Sequence, residues 1–85
     1  MREIAIHPAR LHLRIQTLKA NPRFRNATDE LIEKAARLLY TLDELCFTHS
    51  EISPRQWEIR TNNVHEILEK KSNEITTLLE ERRGA

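Results

Sequence analysis

The sequence predicts an all-α protein: a small three-helix bundle, or a helical hairpin with a long third helix, completed by dimerisation. Three observations predict it. The 85 residues include one glycine and three prolines against 32% charged residues, whereas sheets and catalytic loops need more turn formers than that. Apolar residues in the middle of the chain recur at alternating steps of four and three, the spacing of one helix face. Punctuation falls at only three places: Pro8, Ala20-Asn21-Pro22, and the stretch from Thr48 to Pro54. Residues 1–85 are read as one helical domain, because a chain this short buries only about 60 to 65% of its unfolded surface and supports one core at most. That marginal core leads us to expect a second copy or another protein to supplement it.

The first segment, residues 8–20, opens with Pro8 at the first helical position, where a missing N–H costs nothing, and stops before Asn21-Pro22. Leu11, Ile15 and Leu18 share one helical face. Leu11, Leu13 and Ile15 also alternate with His12 and Arg14, which is a strand period. With no second strand in the chain to pair with, helix is the preferred reading, and a strand requires a dimer to supply its partner.

The second segment, residues 28–47, has the clearest pattern. Leu31, Ala35, Leu38, Leu42 and Leu45 step by 4, 3, 4, 3, and Ile32, Ala36, Leu39 and Cys46 widen the stripe until it needs partners on more than one side. Asn26 or Thr28 can cap its start, and Asp29, Glu30 and Glu33 complement the positive end of the helix dipole.

The third segment, residues 54–83, begins at Ile52-Ser53-Pro54-Arg55-Gln56-Trp57. Ser53 can accept from the backbone N–H of Gln56 while Gln56 reaches back, Pro54 takes the first helical position, and Ile52 with Trp57 can form a hydrophobic staple. Trp57, Val64, Ile67/Leu68, Ile75 and Leu78/Leu79 then continue the apolar stripe. Unbroken, this helix is about 45 Å long at ~1.5 Å per residue, about half as long again as the second. Either it bends at Thr61-Asn62-Asn63, three poor helix formers in a row, or its end packs on the first helix or on another chain. Leu31, Leu38, Leu42, Leu45, Trp57, Val64 and Leu68 are expected in the core.

A formal net charge of +1 hides a split: residues 1–25 hold six Lys/Arg against Glu3, and residues 26–85 hold eight against twelve acids. Arg10, Arg14, Lys19, Arg23 and Arg25 therefore form a basic front on an acidic body. Such groups can neutralise phosphates, but cations near a helix C-terminus also serve the dipole, and their stems cover apolar surface. Aromatic interleaving is limited to Phe24, which offers little for base stacking. Contact with the protein's own acidic body, or with an acidic protein, is the preferred expectation.

Catalytic equipment is missing from the pattern. Cys46 and His49 stand at a zinc-like spacing, but zinc usually takes four ligands, and His7, His12 and His65 are scattered. Cys46 is expected to be buried on the second helix instead. Val64-His65-Glu66 starts half of a metalloprotease helix, yet Glu69 stands where the second histidine is needed, so His65 is expected to be exposed. Ser50, Ser53 and Ser72 sit in capping or polar helical contexts without a Gly-rich turn to build an oxyanion site. Pairs such as Glu30/Glu33 and Glu66/Glu69 read as solvated helix faces.

These features point away from an enzyme, a metal, a cofactor or a small-molecule substrate. No apolar run approaches the roughly 20 residues that cross a bilayer; with a single cysteine and no signal-like start, a cytoplasmic setting without membrane attachment is expected. The function expected is a non-enzymatic protein-protein interaction module, an adaptor, chaperone-like protein or inhibitor/regulator, acting as a homodimer or on another protein. Ile75, Leu78 and Leu79 are its expected apolar contacts. The alternative is a small nucleic-acid-binding regulator using Arg10, Arg14, Lys19, Arg23 and Arg25.

Overall fold

The computed structural model of the chain describes residues 4–84, without the side chains of residues 79 and 82–84. Three helices follow one another: α1 (Pro8–Ala20), α2 (Asp29–Asp43) and α3 (Pro54–Gly84), with a 3-10 turn at Pro22–Phe24 and a π-helical turn at Glu44–Thr48. There is no strand among the described residues, and the alternating stretch from Leu11 to Ile15 is helical.

Local chemistry sets the boundaries. Pro8 is the first residue of α1. At its far end, the Asn21 side-chain oxygen accepts from the Arg23 N–H (3.0 Å) and starts the 3-10 turn. The Thr28 hydroxyl accepts from the Leu31 N–H (3.2 Å), and the Ser53 hydroxyl from the Gln56 N–H (3.1 Å), each satisfying one of the backbone donors orphaned at a helix start. Between α2 and α3 the chain reverses at Ser50, whose φ of 53° lies in the left-handed region. The turn is closed by Glu51 N–H donating to the Leu45 carbonyl at 2.8 Å.

α2 is the central element, with α1 on one flank and α3 on the other. Ile32, Ala36 and Leu39 are at most 1% exposed and pack with Ala35, Leu18 of α1, Phe24 of the 3-10 turn and Leu68 of α3. The Tyr40 hydroxyl accepts from the His7 N–H (3.2 Å), which pins the chain preceding α1 to α2.

The inward face of α2 is therefore rotated from the stripe expected. Leu42 and Leu68 are buried, but Leu31, Leu45, Trp57 and Val64 are only half-buried, and Leu38 is 56% exposed. Leu38 was expected in the core and is not there. α1 docks over Ile32, Ala36 and Leu39, and this turns the Leu31/Leu38 edge away from α1 and towards solvent beside α3. Cys46 is buried, as its place on the helix suggested.

α3 runs continuously through Thr61-Asn62-Asn63. Thr61 and Val64 are half-buried there while both asparagines are exposed, so packing on one side outweighs a propensity cost of roughly 0.5 kcal/mol per residue. Further along, Ser72 is buried and donates to the Leu68 carbonyl at 2.6 Å. Asn26 then donates to Asn73 (3.2 Å), which sets Asn73 level with the chain just before α2 begins. The remainder of α3, from 74 to 84, runs past the end of α2 by about 16 Å at ~1.5 Å per residue. The molecule is elongated in consequence: its radius of gyration is 14.8 Å and its extents are 51 × 26 × 25 Å, against about 12 Å for a compact chain of this length.

Candidate interaction face

Two surfaces could carry function, the basic front and the apolar edge of α2. The basic front lies along α1 and the 3-10 turn, and most of it is turned onto the rest of the chain. Arg14 pairs with Asp43 near the end of α2, Arg23 with Glu69 of α3, and Lys19 with Asp29 at the start of α2 (3.1 Å). Arg10 stands 3.9 Å from Glu44, with its own side chain 72% exposed. Arg25 is exposed and has no ion-pair partner among the described residues. Four of the five basic residues singled out in the sequence thus face carboxylates of the same chain.

Asp43 is the hub of this docking. It accepts from the Arg14 guanidinium and, through its other oxygen, from the Trp57 indole N–H at 2.8 Å. One carboxylate therefore ties α1, α2 and α3 together. Trp57 also meets Phe47 edge-on, with ring centroids 5.1 Å apart, a favoured aromatic geometry.

A second tie is built around Phe24. Its ring lies 5.7 Å from the His65 ring and 5.5 Å beneath the Arg23 guanidinium. His65 is half-buried rather than exposed as expected. Burial lowers its pKa from the ordinary histidine value, and the positive charges of Arg23 and Arg14 lower it further. The imidazole is thus held neutral as a packing group between α3 and the 3-10 turn, and Glu69, one turn on, accepts from Arg23.

The apolar edge is a shallow groove of about 200 Å³ between α2 and α3, lined by Leu31, Leu38, Val64 and Ile67, with Lys34 and Lys71 at its rim. Ile67 is 54% exposed, close to Leu38 in this respect. On the overhang of α3, Leu78 is 61% exposed and Ile75 half-buried; the side chain of Leu79 lies outside the described residues. Leu78 lines a wider concavity with Arg23, Glu66, Glu69, Lys70 and Glu74, distinct from the groove that Leu38 and Ile67 line. The sequence placed Ile67 on the apolar stripe together with Leu68, and only Leu68 is buried.

Among the described residues there is no group of three His, Cys, Asp or Glu that could hold a metal ion. None of their helices is long and apolar enough to cross a membrane. No protein family, curated protein or solved structure matches the chain.

Proposed function

We propose that the chain is a non-enzymatic helical protein-protein interaction module, an adaptor, chaperone-like protein or regulator, which binds through the groove between α2 and α3. The observation that supports this reading is the apolar edge itself. Leu38 and Ile67 are each more than half exposed beside half-buried Leu31 and Val64, although α2 buries Ile32 and Leu39 and α3 buries Leu68 almost completely. Contiguous apolar surface rimmed by polar groups is the usual mark of a binding site, and a groove between two helices suits the apolar face of a third. The reading needs no cofactor, and it fits a cytoplasmic setting in which a lone buried thiol stays reduced.

The nucleic-acid alternative draws less support, because four of its five basic residues already face acids of the same chain. The test compares the wild-type chain with Leu38→Asp and Ile67→Asp, in cross-linking and co-purification from the native host and in self-association. Both positions are exposed, so the variants should keep the helical circular-dichroism spectrum. A protein contact made by the wild type and lost in both variants is the expected result. Contacts indifferent to both substitutions, or tight salt-sensitive binding to DNA or RNA, would overturn the reading.

A further inference from the structure

We infer that the occupant of this groove is a second copy of the chain, docked with its α3 antiparallel to the first across a two-fold axis between Lys71 and Glu74. The inference rests on the reading of the α2/α3 edge as an interaction surface and commits that surface to one partner.

The pattern along α3 carries it. Val64, Ile67, Lys71, Glu74, Leu78 and Glu81 step by 3, 4, 3, 4, 3, the spacing of a helix face that meets another helix, here with charges at three of its six positions. Beyond Val64, which packs against the core, this seam is distinct from the one buried on α2 at Leu68 and Ser72. Ile67 and Leu78 are 54% and 61% exposed, and Lys71, Glu74 and Glu81 are exposed as well. It leads from Ile67 in the groove to Leu78 on the overhang.

The order of residues on the seam is self-complementary in one direction only. When Lys71 of one copy is placed against Glu74 of the other in antiparallel sense, Ile67 falls against Leu78 and Val64 against Glu81. Two-fold symmetry repeats each contact, as an isologous interface requires. At the central positions apolar then meets apolar and base meets acid, while Val64 faces an acid. A parallel pairing in register sets Lys71 on Lys71 and Glu74 on Glu74, and like charges in facing rows repel. The antiparallel arrangement also lays the overhang of each copy over the groove of the other, where Leu38 and Leu31 extend the apolar floor. There Glu81 meets Lys34, which among the described residues is engaged in an exposed pair with Glu30.

Surface area agrees. A compact monomer of 10.1 kDa exposes about 5,300 Å². This chain exposes 6532 Å². The excess of roughly 1,200 Å² is more than the ~800 Å² that each partner contributes to a standard interface. The protruding end of α3 is where an antiparallel copy would cover it.

The test is sedimentation equilibrium of the full chain at tens of micromolar with three charge variants. The wild type is expected near 20 kDa, twice the chain mass. Lys71→Glu and Glu74→Lys should each weaken the dimer about tenfold, since each altered charge occurs twice across the two-fold. The double variant Lys71→Glu/Glu74→Lys should restore affinity to within about threefold of wild type, because antiparallel pairing rebuilds both contacts with reversed sign. Ile67→Asp should weaken it by a hundredfold or more, by burying an unpaired carboxylate. All three positions are exposed, and unchanged circular dichroism checks that each variant folds. A wild type that stays at 10.1 kDa overturns the inference, as do charge variants without effect or a double variant that fails to recover. A monomer whose groove variants still lose a different protein partner overturns this inference alone and leaves the interaction reading standing.

Discussion

Removing the Asp43 carboxylate disconnects three helices at once, and its cost can be built from its two contacts. The indole N–H of Trp57 reaches one oxygen at 2.8 Å; a hydrogen bond to a charged acceptor contributes about 1.5 to 3 kcal/mol when buried, and the half-buried setting places this one near 1.5. Arg14 pairs with the other oxygen, but the two side chains are 36% and 30% exposed. Solvent screening therefore holds that pair to about 0.5 to 1 kcal/mol. Against both stands the position of the acid in the last turn of α2, where the helix dipole disfavours it by about 0.5 kcal/mol.

Asp43→Ala is thus expected to cost about 1.5 to 2 kcal/mol, and Asp43→Asn about half as much, because the amide oxygen still accepts from the indole. In a domain of this size each kcal/mol lowers the melting temperature by roughly 4 to 8 °C, so the alanine variant should melt about 10 °C below wild type. Urea unfolding followed by circular dichroism, at one fixed protein concentration, measures both variants. An Arg14→Ala/Asp43→Ala double-mutant cycle isolates the ion pair, with an expected coupling of about 0.5 to 1 kcal/mol. An alanine variant within about 0.5 kcal/mol of wild type, or a cycle with no coupling, refutes the role of Asp43 as a hub.

Ser53→Ala removes the cap of α3 and should cost about 1 kcal/mol in the same assay. Ser50→Gly should instead raise stability by about 0.5 to 1 kcal/mol, because Ser50 is held at a positive φ that glycine adopts without a Cβ penalty. His65 has its pKa lowered in the folded state, so in the window between that lowered value and 6.5 the unfolded chain binds the proton and the folded chain does not. The stability it contributes is complete above pH 6.5 and is lost as pH falls through the folded pKa. Melting temperatures of wild type and His65→Gln between pH 7.5 and 5 should therefore converge on acidification, and parallel curves would rule this out.

The helix boundaries were legible because they depend on neighbours in sequence: a proline at a helix start, a hydroxyl three residues before an N–H, an asparagine ahead of a proline. The inward edge of α2 was not, and Asp43 explains why. Ile32, Ala36, Leu39, Asp43 and Cys46 step by 4, 3, 4, 3 as regularly as Leu31, Ala35, Leu38, Leu42 and Leu45 do. The second series is wholly apolar and reads as the stronger stripe. The first contains a carboxylate, yet it faces the core end, because Arg14 and Trp57, 29 and 14 residues away in sequence, satisfy that carboxylate. Binary patterning scores the acid as a defect when its partners are out of view. The same blindness hid Phe24 and His65, which belong to no stripe and meet only because the 3-10 turn lies against α3. Leu38 was expected in the core, and Ile67 was placed on the stripe beside Leu68, for a related reason: a face broad enough for two partners does not say which of them lies within the same chain.

The docked basic segment sets a quantitative limit on nucleic-acid binding. If all five cations were available to phosphates, the logarithm of affinity for duplex DNA would fall against the logarithm of salt with a slope of about −4.5. In the fold observed, Arg14, Lys19 and Arg23 are held in ion pairs at or below 3.1 Å, Arg10 is loosely placed at 3.9 Å, and Arg25 is exposed. Binding without disruption of the fold then has about two cations to offer and a slope near −2. A slope of −4 or steeper between about 50 and 200 mM salt would mean that α1 leaves α2 on binding. The Asp43–Trp57 contact would be left without its third member, and Trp57 fluorescence would have to change in the same titration. A steep slope with unchanged fluorescence is incompatible with the docking of Arg14 on Asp43.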